Sequence, residues 1–243
     1  MREFGHRYGR RPLGALALAG LLGLVLALSA PLEQSQAARD QSRGALSGPA
    51  RVIDGDTIAI GDTRIRLEGI DAPETSQLCA TAKKTRWSCG QSARQELVAM
   101  TAGKIVRCES SGNDRYGRVL GICWAGSLEL NAEMVRRGFA WAFVRYSSRL
   151  VQVEAEARGR SIGIWQADNE PAWGYRTGRW TTAENTAPSG CAIKGNITNS
   201  GRTYHLPWNR NYDAVRINPS KGERWFCSEA EALAAGWQPV RTN

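Results

Sequence analysis

Between residues 52 and 70 three short runs alternate in character: Arg51-Val52-Ile53, Thr57-Ile58-Ala59-Ile60 and Arg64-Ile65-Arg66-Leu67. Gly55 and Gly61-Asp62 fall between them, where turns belong. A two-residue period broken by glycine is the pattern of a β-meander, and Pro73 ends it. Two more strands are expected at 104–109 and 119–124, the second turning at Ala125-Gly126. Helices are expected at 91–102 (Ala93, Leu97 and Met100 at helical spacing, Gly103 as the stop), at 132–137 behind an Asn131 cap, and at 149–160 behind Ser147-Ser148. Residues 139–144 read as extended, and Ile162-Gly163-Ile164-Trp165 as an apolar plug. Five or so short strands with late helices give a mainly β fold with packed helices. The small closed barrel of OB type is its best-known form, and such barrels commonly present oligonucleotide-binding faces.

The meander occupies a small part of 243 residues, so the other boundaries come from composition. Arg2, Arg7, Arg10 and Arg11 precede an apolar run from 13 to 28, and Ser35-Gln36-Ala37 offers a small-x-small cleavage site. Residues 1–37 therefore read as a secretory signal peptide, with an uncleaved membrane anchor as the alternative. Residues 38–49 read as a flexible lead-in and 50–168 as the barrel domain. Residues 169–190 lose periodicity and read as a linker. Residues 191–243 regain order as a small α+β module, near the lower size limit for independent folding. Losing 1–37 removes four basic and two acidic side chains, which lowers the net charge from +9 to +7. The remainder is still basic and favours polyanionic partners.

All six cysteines follow the signal: Cys79, Cys89, Cys108, Cys123, Cys191 and Cys227. An even count in an exported chain argues for disulfides, although sequence alone permits fifteen connectivities. Proximity in the chain suggests 79–89, 108–123 and 191–227. A zinc site is the competing reading, but there is no C-x-x-C pair and His205 is the only histidine after the signal.

With no histidine in the barrel and no glycine-rich phosphate loop, chemistry must come from carboxylates and arginines, with or without a metal. Asp56 and Asp71 flank the meander and can face one cation if its strands pair; oxygen ligands suit calcium or magnesium. Asp54-Gly55-Asp56 serves equally well as a plain turn. Glu74, after Pro73, is placed to take a proton from an attacking water or to stand solvated in a loop. Arg66 shares a strand face with Arg64 and Glu68, as a phosphate fork or as part of a solvated face. Asp114-Arg115-Tyr116-Gly117-Arg118 reads as a phosphate clamp or a charged hairpin. Arg145 and Tyr146 could line the same groove, or Tyr146 could simply pack.

Taken together, these motifs are similar to those of the thermonuclease, or staphylococcal-nuclease-like, family over residues 51–165. The carriers are Ile53-Asp54-Gly55-Asp56-Thr57, Arg64-Ile65-Arg66-Leu67-x-Gly69-Ile70-Asp71-Ala72-Pro73-Glu74-Thr75, Asp114-Arg115-Tyr116-Gly117-Arg118, Leu130-Asn131-x-x-Met134-Val135-x-x-Gly138-x-Ala140 and Gly163-Ile164-Trp165. The resemblance implies a five-stranded OB-fold barrel with three helices and calcium-dependent hydrolysis of DNA and RNA phosphodiesters. Asp56, Asp71 and the Ala72 carbonyl would be the Ca2+ ligands. Glu74 would be the general base, and Arg66 and Arg118 would bind the phosphate and stabilise charge in the transition state. Arg115 and Tyr146 would hold substrate phosphates, and Asp54 would support the metal site. Where the best-known member has a second groove tyrosine, this chain has Val144. Residues 191–237 more weakly resemble a Cys/Trp module appended to bacterial nucleases and competence-type proteins.

The leading expectation is therefore an exported, periplasmic or secreted, sugar-nonspecific endonuclease. Its partners would be DNA and RNA, single-stranded or locally unpaired stretches favoured, with no stable protein partner implied. Two rivals remain: a barrel that binds nucleic acid without cutting it, and an envelope nuclease held to the membrane by its uncleaved N-terminal segment.

Overall fold

A computed structural model describes residues 45–188, 190–199 and 201–240. The expected signal and most of the lead-in lie outside them. Five strands make the barrel: β1 (Ala45–Val52), β2 (Thr57–Ile60), β3 (Thr63–Leu67), β4 (Ile105–Asn113) and β5 (Val119–Ala125). Their order is β3-β2-β1-β4-β5, and a parallel pairing of β3 with β5 closes the ring (Ile65↔Val119, Arg66↔Leu120, Leu67↔Gly121). The meander and closed barrel expected from the alternation are both present.

Residues 45–49, read as lead-in, are instead the first half of β1. This half pairs only with β4 (Ala45↔Glu109 to Pro49↔Ile105), whereas Ala50 to Val52 pair with β2. Pro49 sits where the strand changes partner, a place where a missing N–H is tolerated. Apart from Leu46 these residues are small, and three of the five are exposed, so no apolar alternation marks the strand.

The barrel interior is filled by Ile58, Ile65, Leu67, Val106, Cys108 and Cys123, each fully buried. Burial of each large aliphatic side chain contributes about 1.5–3 kcal/mol. Helix α1 (Cys89–Thr101) adds Ala93, Leu97 and Met100 to this core, and α2 (Leu130–Arg136) adds Leu130, Met134 and Val135. Helix α3 (Val151–Gly159) buries Ala157, and Ile164 plugs a second cluster with Cys79, Cys89, Trp141 and Ala172. The disulfides are 79–89, 108–123 and 191–227, the pairing that proximity suggested. Among the described residues, no helix is long and apolar enough to cross a membrane.

Three further expectations need correction. Ser147-Ser148 does not cap α3, whose cap is Leu150. Asn131 does not cap α2, whose cap is Glu129. Fully buried, its side chain instead accepts from Cys123 N–H at 3.0 Å and donates to the carbonyls of Glu68 (2.9 Å) and Gly121 (3.0 Å). It thereby ties the end of the β3 segment to β5. Residues 169–190 are not a simple linker either, because Ala172–Thr186 is a fifteen-residue helix, α4. Its first turns pack on the barrel: Ala172 joins the Trp141 cluster and Trp173 stacks on Phe143 at 5.7 Å. Its later turns pack on the C-terminal module, where Ala183 and Trp180 meet Ala192, Tyr212 and Trp225.

The module is a small sheet of β6 (Ile193–Thr198), β7 (Gly201–His205) and β8 (Arg224–Phe226), with Gln238–Pro239 on its edge beside β7. Helix α5 (Glu229–Ala234) follows, capped by Ser228 Oγ accepting from Glu231 N–H. Ile193, Tyr204, Phe226 and Trp237 form its core.

Asn131→Ala orphans the buried Cys123 N–H and takes a donor from the carbonyls of Glu68 and Gly121, the second of which still accepts from Glu68 N–H. It is expected to lower unfolding free energy by about 2–3 kcal/mol in urea titration. An unchanged midpoint would mean that these hydrogen bonds do not hold the barrel closed.

Candidate active site

The site sits where the first turn of the meander meets the segment after β3. The turn Asp54-Gly55-Asp56 is closed by Ile53 and Asp54 N–H groups donating to the Thr57 carbonyl (2.9 and 3.3 Å). Asp54 Oδ1 accepts from Asp56 N–H at 3.1 Å, as local turn chemistry expects. Gly55 is required by packing, since a Cβ there would lie 2.7 Å from the Ala72 Cβ and 2.9 Å from the Ala93 Cβ. The turn is thus pressed onto the loop and helix that carry the rest of the site. Leu67 N–H donates to the Asp56 carbonyl at 2.8 Å, which fixes Asp56 beside β3.

Arg66 projects from β3 between the two aspartates. Its Nη1 donates to Asp56 Oδ1 at 2.8 Å and its Nη2 to Asp71 Oδ1 at 2.9 Å. Asp56 Oδ1 also accepts from the Thr57 hydroxyl (2.9 Å), and Oδ2 from Ala72 N–H (3.3 Å). Asp71 is wholly buried, held by the bridge of Ile70–Asp71 with Trp141–Ala142. Asp56 and Asp71 do converge, but the cation that they face here is a guanidinium.

A second guanidinium comes from α4, in the stretch read as linker. Arg176 Nη1 donates to Asp71 Oδ1 (3.0 Å) and Glu74 Oε1 (2.8 Å), and its Nη2 to Asp71 Oδ2 (2.8 Å). Sequence reasoning missed this residue. The signal was available: Trp173, Arg176, Trp180 and Ala183 recur at helical spacing, but Gly174, Gly178 and a Thr/Asn-rich end masked it.

Glu74 is placed by its loop. Its N–H donates to Gln77 Oε1 (3.1 Å), Gln77 N–H donates back to the Glu74 carbonyl (2.7 Å), and Gln77 Nε2 donates to the Glu170 carbonyl (2.8 Å). Helix α1 begins against this loop, and Gly90 permits the approach. A Cβ at Gly90 would lie 1.7 Å from the Glu74 carbonyl oxygen.

Four carboxylates (Asp54, Asp56, Asp71, Glu74) thus stand against two guanidinium groups. Burial pushes Glu74 up to about 8 against the charge and hydrogen bond of Arg176, and the negative field of Asp54 and Asp56 adds a smaller push in the same direction. Asp54 is pushed up to about 7 by burial and by the neighbouring Asp56 charge. Asp56 goes the other way: burial opposes its ionisation, but Arg66, and Arg118 behind it, hold it below the usual carboxylate range. Carboxyl groups in surplus over guanidinium groups, with oxygen donors only, are the ligand chemistry that a hard divalent cation takes. The donor chemistry fits such an ion. Among the described residues, however, no three His, Cys, Asp or Glu side chains are gathered as a ready-made cage.

The second predicted cluster lies at the rim. Asp114 accepts from Arg118 Nε (2.7 Å) and from the N–H groups of Tyr116 and Arg118 (both 2.9 Å), so the hairpin is organised by its aspartate. Arg118 reaches Asp56 by charge and makes its hydrogen bonds to Asp114. The guanidinium groups of Arg115 and Arg118 lie 4.8 and 5.5 Å from the centre of the Tyr116 ring. Tyr146 is 71% exposed beside Phe143, and Val144 is exposed as well. Trp173, which sequence reasoning also missed, extends this aromatic face from α4.

The family model "Staphylococcal nuclease homologue" matches residues 64–167. An uncharacterized endonuclease of Escherichia coli is 39% identical over 134 residues, covering 52% of this chain and 81% of its own. The succinoglycan biosynthesis protein ExoI of Rhizobium meliloti is 36% identical over 135 residues (54% and 71%), and the micrococcal nuclease of Shigella flexneri 35% over 144 (52% and 77%). The chain belongs to the staphylococcal nuclease family. Its catalytic class is that of a phosphodiester-hydrolysing nuclease. Asp56 and Arg176 both lie outside the matched segment 64–167.

Gly90→Ala must push the Glu74 loop aside. It is expected to lower nuclease turnover by about 10- to 100-fold while the circular dichroism spectrum stays native. Gly159→Ala, where an added Cβ meets nothing within 4 Å, is the matched control. Equal activity of the two variants would disconnect the Gly90 contact from the chemistry.

Proposed function

We propose that the protein is an exported, calcium-dependent endonuclease that cuts both DNA and RNA, preferring single-stranded or locally unpaired stretches. The observation that carries this reading is the convergence of Asp56, Asp71 and Glu74 around Arg66 and Arg176, where the carboxyl groups outnumber the two bonded guanidinium groups. Asp56, Asp71 and the Ala72 carbonyl would hold the calcium ion. When bound, the ion supplies Lewis-acid stabilisation of charge building on the phosphate.

The chain's own residues do the rest. Arg66, fixed at two points, presents its guanidinium edge where a phosphate oxygen would become more negative in the transition state. Arg118, held by Asp114 and close enough for its charge to act on Asp56, would add a second guanidinium to the phosphate. Glu74, with its proton affinity raised by burial, is suited to take the proton of an attacking water near neutral pH. Arg115 and Tyr146, at the exposed rim, would grip flanking phosphates, and the aromatic face of Tyr146, Phe143 and Trp173 would stack on unpaired bases. Phosphate contacts carry no sequence information, so base specificity would be slight. Three disulfides support an oxidising, exported destination.

The test uses the full chain with single- and double-stranded DNA and RNA, in calcium and in chelator. Wild-type protein is expected to cut all four substrates in calcium and none in chelator. Glu74→Gln is expected to lose about 100-fold or more in kcat with a smaller change in KM. Cleavage undiminished by chelator would sink the calcium reading, and full activity of Glu74→Gln would remove Glu74 from the chemistry.

A further inference from the structure

Arg176 makes three hydrogen bonds, all to carboxylates assigned to the chemistry. Asp71 Oδ1 already accepts from Arg66 and Arg176, and Oδ2 accepts from Arg176 at 2.8 Å. One guanidinium fork therefore covers both oxygens of a fully buried aspartate and also holds Glu74 Oε1. A divalent cation on Asp71 would share that buried carboxylate with a fixed positive charge, and water screens the repulsion only in part.

Arg176 is also not a loose surface arginine. Beside it, the Tyr175 hydroxyl lies 3.0 Å from Ser76 Oγ, and Ser76 donates to the Trp208 carbonyl at 2.7 Å. One turn on, Arg179 donates to the Pro207 carbonyl (2.9 Å) and pairs with Asp213 (2.9 Å), while Trp180 packs near Trp208 at 6.2 Å. The loop that carries Glu74, helix α4 and the C-terminal module are thus bolted together around one guanidinium.

We propose that Arg176 is the resident counter-cation of the site: it fills the seat on Asp71 and Glu74 and gives way when a divalent cation binds, so that cation binding and the docking of α4 oppose one another. This inference rests on the reading of Asp56 and Asp71 as cation ligands. It makes the C-terminal part of the chain, through α4, a brake on cation affinity.

The test needs no nucleic acid. Calcium affinity is measured by titration calorimetry on the full chain, as wild type and as Arg176→Gln, with hydrogen–deuterium exchange followed across 172–186. Arg176→Gln is expected to bind calcium about 10-fold more tightly, within the usual range of coupling between two sites. Saturating calcium is expected to speed exchange across 172–186 in the wild type. Should Arg176→Gln fail to fold, Tyr175→Phe, which only loosens the hold of α4 on Ser76, is expected to tighten calcium binding by a smaller factor. Unchanged or weaker calcium binding in the variant that folds, or calcium bound with exchange across 172–186 unaltered, would overturn the inference while leaving the cation site intact. No calcium binding in any form would overturn both the inference and the calcium reading beneath it.

Discussion

The structure turns on a buried fork: Arg66 on β3 reaching Asp56 with one nitrogen and Asp71 with the other. Everything nearby is arranged to make that arrangement possible. The β2–β3 register sets Thr57 opposite Arg66, so Asp56 begins its strand within reach. Closure of the barrel through β3 and β5 holds Arg66 rigid, and Asn131 fastens the same edge from below. The bridge between Ile70–Asp71 and Trp141–Ala142 buries Asp71 on the other side. A buried charge stripped of its partner typically costs about 3–5 kcal/mol, so each member commits the others to stay. A rigid site built on barrel strands is also what differential binding of a transition state requires.

Because the carboxylates outnumber the guanidinium groups, the fork alone does not settle the charge of the site. Arg176 supplies part of the remainder, from a helix that lies beyond the barrel and is shared with the C-terminal module. The module is therefore mechanically joined to the centre: α4 is packed at one end against Trp141 and Phe143 and at the other against Ala192, Tyr212 and Trp225. The burial and the Glu229 charge that push the Tyr116 hydroxyl up show the module near the Arg115–Arg118 hairpin as well. A domain that touches both flanks of a cleft can influence what enters it without contributing chemistry.

Much of this was legible in the sequence. Period-two alternation with Gly55 and Gly61 at the breaks marked the meander, and the six cysteines paired with their nearest neighbours because each pair closes a short local loop. Asp56, Arg66, Asp71 and Glu74 were identifiable as a set because they crowd into nineteen consecutive residues. What the sequence hid has physical reasons. Ala45 to Pro49 form a strand chiefly through backbone pairing, with Leu46 the one large apolar side chain on the core and no alternation to announce it. Asn131 looked like a cap because a helix follows it; only tertiary burial shows that its amide serves two strands. Arg176 lies 102 residues from Glu74, in a glycine- and threonine-rich stretch whose helix is held by packing at both ends rather than by propensity.

The most direct measurement is a crystal structure of the full chain grown with calcium and a short oligonucleotide carrying non-hydrolysable linkages. The account predicts an ion held by Asp56 and Asp71, a phosphate against Arg66 and Arg118, and Glu74 released from Arg176. Carboxylates still closed around Arg66 and Arg176, with the phosphate bound elsewhere on the barrel, would contradict it.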